Sequence, residues 1–291
     1  VRAGVSNAVA VTSDNKLFTW GLAASGQLGN GSTVTISSPV QIAAAAVFGL
    51  SNIGSSSWTA ISAGASHTAA IRTDSALFTW GLNTSGQLGN GSTTNQSSPV
   101  QIGTLNTWNP AYQVYGSAFA IDNTNKLYGW GENSGGGVGD GTTINRSSPV
   151  QIGTSSWVAI TSGSGTALAI RLDGSLFAWG LNSSGQLGIN DTVTRSSPVQ
   201  LGTSWSLVTA GSDFSSGIKT NGSLWTWGLN INYQLGTNNQ TNRSSPVQIG
   251  SNLWKQTNNS SSHTAAIQNN GTLWTCGNNG NGQLGTSDVT G

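Results

Sequence analysis

Residues Leu77 to Gln101 read LFTWGLNTSGQLGNGSTTNQSSPVQ, and residues Leu17 to Gln41, sixty positions earlier, read LFTWGLAASGQLGNGSTVTISSPVQ. Weaker copies continue to the end of the chain. With the Trp-Gly pair as marker, copies stand at Trp20, Trp80, Trp130, Trp179 and Trp227, and Cys276-Gly277 takes the sixth place, giving steps of 60, 50, 49, 48 and 49 residues. A period near fifty belongs to propeller-type arrays rather than to short-period solenoids. Six such units fill residues 1–291 and are expected to build one domain.

Each unit opens with a short run of small and branched residues, such as Ala8 to Val11 or Thr68 to Ile71, followed by a polar turn. The turns are Asp14-Asn15, Asp74-Ser75, Asn123 to Asn125, Asp173-Gly174, Asn221-Gly222 and Asn270-Gly271. Asx-Gly and related pairs between apolar runs predict a hairpin, because these residues tolerate the positive φ of the turn. In the second strand Phe18 and Trp20 point to one face and Leu17 and Thr19 to the other, so neither face is polar enough to be fully wet. Stacked sheets suit such a strand.

A Gly-Gln-Leu-Gly loop follows (Gly26 to Gly29, Gly86 to Gly89, Gly185 to Gly188, Gly282 to Gly285), in which the leucine can turn inward. Five of the six prolines then share one position, in Ser-Ser-Pro-Val: Pro39, Pro99, Pro149, Pro198 and Pro246. Proline lacks the ladder donor, so it predicts the start of an outer strand. A fourth strand is expected around Trp58, Trp108, Trp157, Trp205 and Trp254. Four short strands make one propeller blade, and the fold expected is an all-β propeller with six visible blades.

Composition narrows the function. Charged residues make up 7% of the chain, against about a quarter in an average soluble domain. The net charge of +1 gives no electrostatic reason to expect nucleic acid. No apolar run approaches the roughly 20 residues of a membrane helix, so membrane insertion is not expected. A lone Cys276 excludes a disulfide framework, and the His and Cys residues show no ligand spacing, so neither a metal nor another cofactor is implied. Val1 opens a sequence without methionine, from which either a removed leader or a segment of a longer chain is expected.

The order Trp-Gly-x-Asn-x-x-Gly-Gln-Leu-Gly, then Ser-Pro-Val, then Ala63 to Ile71 (AGASHTAAI) resembles the repeat of the regulator of chromosome condensation family over essentially the whole chain. That resemblance implies a propeller of four-stranded blades, commonly seven. A seven-bladed ring completed by residues outside this segment is therefore the alternative. The family includes a nuclear guanine-nucleotide exchange factor, a plant UV-B photoreceptor and secreted inhibitors of β-lactamases. The photoreceptor's chromophore motif, Gly-Trp-Arg-His-Thr, is matched here by Gly64 to Thr68 and Ser260 to Thr264, without Trp or Arg. Val1 to Gly4 matches the tail of a repeat and Thr290-Gly291 stops short of a Ser-Pro-Val strand, so flanking sequence or a neighbouring chain is expected to complete the array.

Both histidines, His67 and His263, fall at one repeat position, which favours a structural role over catalysis. No enzyme activity is expected. Candidate binding residues lie where the copies differ. Pro39 to Trp58 spans nineteen positions against seven to nine elsewhere, and the extra Ala43 to Ile53 carries Val47, Phe48, Leu50 and Ile53, apolar for a loop. Either a partner-binding surface or a lid folded over the blade fits. Trp108, Tyr112 and Tyr115, with Phe119, concentrate aromatics in the next unit, and packing competes with binding there. Arg146, Arg195 and Arg243 each stand three residues before the blade's proline, where they would hold an acidic partner or a glycan carboxylate, or brace their own loops.

The function expected is a non-catalytic structural or interaction module. It would be a rigid disc at an extracellular, cell-envelope or virion surface that binds a protein or glycan on one rim, within a larger assembly. A secreted enzyme inhibitor of the β-lactamase type is the second reading and nucleotide exchange on a small GTPase the third.

Overall fold

The computed structural model describes residues 1–42, 57–104, 106–114 and 116–286. Its strands form five antiparallel sheets in which chain neighbours pair. The first holds β1 (Arg2–Ala3), β2 (Asn7–Val11), β3 (Leu17–Gly21) and β4 (Ile36–Gln41). The second holds β5 (Trp58–Ala63), β6 (His67–Arg72), β7 (Leu77–Gly81) and β8 (Gln96–Gln101), and the third β9 (Trp108–Val114), β10 (Ser117–Asp122), β11 (Leu127–Gly131) and β12 (Arg146–Gln151). The fourth holds β13 (Trp157–Ser162), β14 (Thr166–Arg171), β15 (Leu176–Gly180) and β16 (Arg195–Gly202). The fifth is larger: β17 (Trp205–Ala210), β18 (Phe214–Lys219), β19 (Ser223–Gly228), β20 (Arg243–Asn259), β21 (His263–Gln268) and β22 (Leu273–Gly277).

The strands thus form five blades of four to six strands, which corrects the expectation of six blades and leaves the seven-bladed alternative without support. The reason is local. Strand β16 stops at Gly202, and Ser204, at φ 67°, turns the chain before β17 begins. Strand β20 instead runs for 17 residues without a break. Its Leu253 still pairs with Ser223 of β19, and its Trp254 already pairs with Gln268 of β21. One strand therefore ends the fifth repeat and begins the sixth, fusing both into one sheet.

Backbone contacts gather into two compact units, Val1–Ser134 with Ile144–Ser155, and Gly135–Thr143 with Ser156–Gly291. In both, the hairpin turns form as the sequence implies. Asn15, Ser75 and Asn125 in the first unit, and Gly174, Gly222 and Gly271 in the second, take φ between 62° and 92°. Each lets a four-residue turn close, as where Asn15 N donates to Thr12 O at 2.9 Å.

Neighbouring repeats are joined by one recurring contact. In the first unit Trp80 Nε1 donates to Gln27 O and Trp130 Nε1 to Gln87 O, both at 3.0 Å. In the second, Trp179 Nε1 donates to Gly137 O and Trp227 Nε1 to Gln186 O, both at 2.9 Å. The four indoles are fully buried. Each packs edge-on with the tryptophan that opens its own blade where the rings are close: Trp58 with Trp80 at 6.5 Å, Trp157 with Trp179 at 6.2 Å, Trp205 with Trp227 at 5.6 Å. The loop leucines Leu28, Leu88, Leu187 and Leu235 are also fully buried. A loop of one repeat is thereby plugged into the side of the next.

Glycine makes this approach possible. A Cβ on Gly89, at φ +74°, would lie 2.7 Å from Trp130 Nε1, and one on Gly86 would lie 2.6 Å from Ser147 Cα. Gly89→Ala should cost about 3 kcal/mol, combining a left-handed L-residue with overpacking against an indole. Gly103→Ala, at φ +67° with nothing within 4 Å, should cost only the backbone share, about 1 kcal/mol. Urea denaturation of both variants checks this, and equal losses would show that the loop does not bear on the indole.

Candidate binding surface

In the second to fifth repeats the segment between the glycine loop and the following proline strand is held by one buried asparagine. Asn83 Nδ2 donates to Ser92 O and Thr94 O at 3.0 Å, while its Oδ1 accepts from Leu88 N at 2.9 Å. Asn182 repeats the pattern, with Nδ2 to Asp191 O at 3.0 Å and Val193 O at 3.2 Å, and Leu187 N to Oδ1 at 2.9 Å. Asn230 binds Asn239 O, Thr241 O and Leu235 N likewise, and Asn133 Nδ2 donates to Ile144 O at 3.0 Å. A second asparagine closes the loop from the other side, where Asn95 Oδ1, Asn145 Oδ1 and Asn242 Oδ1 each accept a backbone N–H at 2.8 Å, from Asn83, Asn133 and Asn230 respectively. Ala23 stands in the first repeat where the others have this asparagine.

The tip at the end of this segment differs between copies. Five residues before the blade's proline stand Val34, Thr94, Ile144, Val193 and Thr241, and two residues further on Ile36, Gln96, Arg146, Arg195 and Arg243. Val34, Ile144 and Val193 are 67%, 63% and 58% exposed, high for branched apolar side chains. Sequence reading passed over these three. Their signal was an apolar residue at one repeat position inside an otherwise polar loop.

The arginines open β12, β16 and β20 and pair with Gly131, Gly180 and Gly228 in matching register, so they are structurally equivalent. Arg195 is engaged within its own loop, donating from Nη2 to Asp191 Oδ2 at 2.6 Å and from Nη1 to Val193 O at 2.9 Å. Arg146 and Arg243 are half-buried. Trp108 is buried at the start of β9, edge-on to Tyr128 at 5.3 Å, and Phe119 is fully buried. Tyr112 lies in β9, but its side chain, Tyr115, and Val47, Phe48, Leu50 and Ile53 of the insertion lie outside the described residues.

His67 and His263 begin β6 and β21 opposite Gly81 and Gly277, one position in two blades. Among the described residues no group of three or more His, Cys, Asp or Glu is placed to hold a metal ion. No helix of the described residues is long and apolar enough to cross a membrane. What the surface can do chemically is bury a few branched side chains and offer guanidinium and amide donors from a preorganised frame.

A family model for the regulator of chromosome condensation (RCC1) repeat matches residues 14–71, 74–118, 125–170, 173–218 and 221–267. The chain belongs to the RCC1 repeat family. Each matched stretch begins at a hairpin turn and ends in the second strand of the following repeat, so the sequence repeat itself straddles the joint between neighbours. The human E3 ubiquitin-protein ligase HERC2 is 34% identical over 105 residues, which cover 36% of this chain and 2% of that protein. Human WBSCR16 superposes with a TM-score of 0.85 at 19% identity, over 99% of this chain and 78% of that one. Prp20p from Saccharomyces cerevisiae, described with its binding to Gsp1p and histones, gives a TM-score of 0.75 at 18% identity, over 93% and 68%. At these identities the two structures establish the fold, a β-propeller of RCC1 repeats.

Asn182→Ala would leave Leu187 N and the carbonyl of Asp191 without a partner, whereas Val193 O keeps the bond from Arg195 Nη1. Loss of about 3 kcal/mol is expected, together with faster amide exchange confined to residues 186–194. A uniform rise in exchange across the blade would contradict the local role given to this asparagine.

Proposed function

We propose that this chain is a non-catalytic binding module of the RCC1 repeat family that engages a protein partner through its loop tips. The observation that carries the reading is the pairing of a repeated asparagine frame with divergent, exposed tip residues, Ile144 and Val193. A frame whose backbone is fixed before binding loses little conformational freedom on association. Branched apolar side chains at the tips supply area to bury, and the adjacent Arg146 and Arg243 supply donors. The near-neutral charge favours a partner recognised by shape and apolar contact over one drawn in by a long-range field. That Prp20p has been described binding the proteins Gsp1p and histones supports a protein as the class of partner.

The test places a photo-crosslinking amino acid at Ile144 or Val193, and at the exposed strand position Val158 as control, in the chain within its native source extract. Protein adducts at the two tips that disappear on competition with unlabelled protein, but not with its Ile144→Asp/Val193→Asp variant, are the expected result. Such surface changes should alter stability by no more than about 0.5 kcal/mol. Equal adducts at Val158, or full competition by the double variant, would sink the reading.

A further inference from the structure

The joint between the fifth and sixth repeats differs from every other described joint. Where Trp80, Trp130, Trp179 and Trp227 fill the space beside the preceding loop, Cys276 stands, its Sγ 3.5 Å from Gln234 O in place of an indole N–H. Beside it lies a cavity of about 520 Å³ walled by Leu224, Leu235, Ile249, Trp254, Ala266 and Trp274. That volume falls within the range of small-molecule sites. Trp254, which by its repeat position should pack against an indole at 276, instead has the ring of Trp274 as its aromatic neighbour, at 6.4 Å, and Trp274 is itself 54% exposed.

The cavity also holds a donor without an acceptor. Gln268 lines it, is 7% exposed, and its Nε2 has no hydrogen-bond partner. In the repeats where a cation takes this position it lies over a ring: Arg72 over Phe78 at 5.1 Å, Arg171 over Phe177 at 3.8 Å, Lys219 over Trp225 at 4.5 Å. A neutral amide makes no such contact. Trp254 Nε1 is likewise unpaired, a feature it shares with Trp108, Trp157 and Trp205. A buried N–H left without an acceptor costs about 1–3 kcal/mol, which a bound acceptor would recover.

We infer that this cavity is a binding site for a small, neutral, two-ring aromatic molecule bearing a hydrogen-bond acceptor. Its planar body takes the volume that an indole occupies at the other joints, edge-on to Trp254, and its acceptor receives the Gln268 Nε2 proton. The walls favour an uncharged ligand, since none of the described residues lining the cavity is Asp, Glu, Lys, Arg or His, and burial pushes the Cys276 thiol up to about 11, leaving it protonated. The site is independent of the loop tips, and its failure would leave the binding-module reading as it stands.

The probe is coumarin, with naphthalene as a ring pair lacking the acceptor, titrated calorimetrically into the full chain. One saturable site with a Kd on the order of 0.1 mM is expected for coumarin, and about tenfold weaker binding for naphthalene. Cys276→Trp should abolish binding by filling the cavity and raise the Tm by about 2–4 °C. Should that variant fail to fold, Gln268→Leu provides the second arm, in which coumarin is expected to weaken about tenfold while naphthalene is unchanged. Absence of saturable binding, equal affinity for the two probes, or coumarin binding unaltered in a folded Cys276→Trp or Gln268→Leu variant would overturn the assignment.

Discussion

A loop carbonyl that accepts an indole N–H from the next repeat is the contact on which the rest depends. The separation in sequence between indole and loop is 53, 43, 42 and 41 residues at the four joints, so each bond spans about one period and binds one repeat to its neighbour. The bond fixes orientation. The apolar area around it supplies most of the free energy, with burial of a tryptophan in such a setting contributing about 3–5 kcal/mol by comparison with truncation. A hydroxyl shares the acceptor with the indole at two of these joints, where Thr68 Oγ1 donates to Gln27 O at 3.0 Å and Ser215 Oγ to Gln186 O at 2.9 Å, and at the last joint Thr264 Oγ1 donates to Gln234 O at 2.8 Å beside Cys276 Sγ. Both lone pairs of a buried carbonyl are then used, the arrangement that leaves least polar capacity unmet.

The asparagine frame depends in turn on that joint. Thr79 Oγ1 and Thr226 Oγ1 donate to Leu88 O and Leu235 O at 2.7 and 2.8 Å, tying each loop back to the strand that carries the indole of the same repeat. Asn83 and Asn230 hold the N–H groups of those same leucines. A leucine clamped at both backbone groups and buried in the joint leaves the following loop little freedom, and the tip residues inherit that rigidity. Loop tips and fold are therefore built from one set of bonds, so that the tips of the second to fifth repeats differ above a shared asparagine framework.

Much of this was legible in the sequence, and the remainder was hidden for identifiable reasons. The hairpins, the proline strand and the buried loop leucine follow from local chemistry that each residue type declares by itself. The joint does not, because a Trp-Gly pair and a Gly-Gln-Leu-Gly loop one period apart carry no mark that they touch. The blade count failed at a comparable place. Pro246 and Trp254 are eight positions apart, as are Pro149 and Trp157, yet one connector breaks and the other stays extended, since Leu253 keeps its pairing with Ser223. Spacing alone cannot register a hydrogen bond retained by one residue. For Arg195, binding and loop bracing were both open from sequence, and its bonds to Asp191 and Val193 O show the bracing contacts.

Two departures meet at the last joint, and they make sense together. Cys276 replaces an indole, and Gln268 replaces the stacking cation of Arg72, Arg171 and Lys219, while Trp274 keeps the tryptophan that the fifth repeat has at Trp225. Each alone would read as tolerated variation. Loss of the indole alone would leave an apolar hole of the kind that destabilises a core in proportion to its volume. A cation at 268 would be poorly placed beside an emptied apolar wall. A neutral amide avoids that desolvation cost while keeping a directed donor. The combination converts a packing site into a lined cavity with an unmet donor at Gln268, and it does so at the joint where β20 has fused two repeats into one sheet.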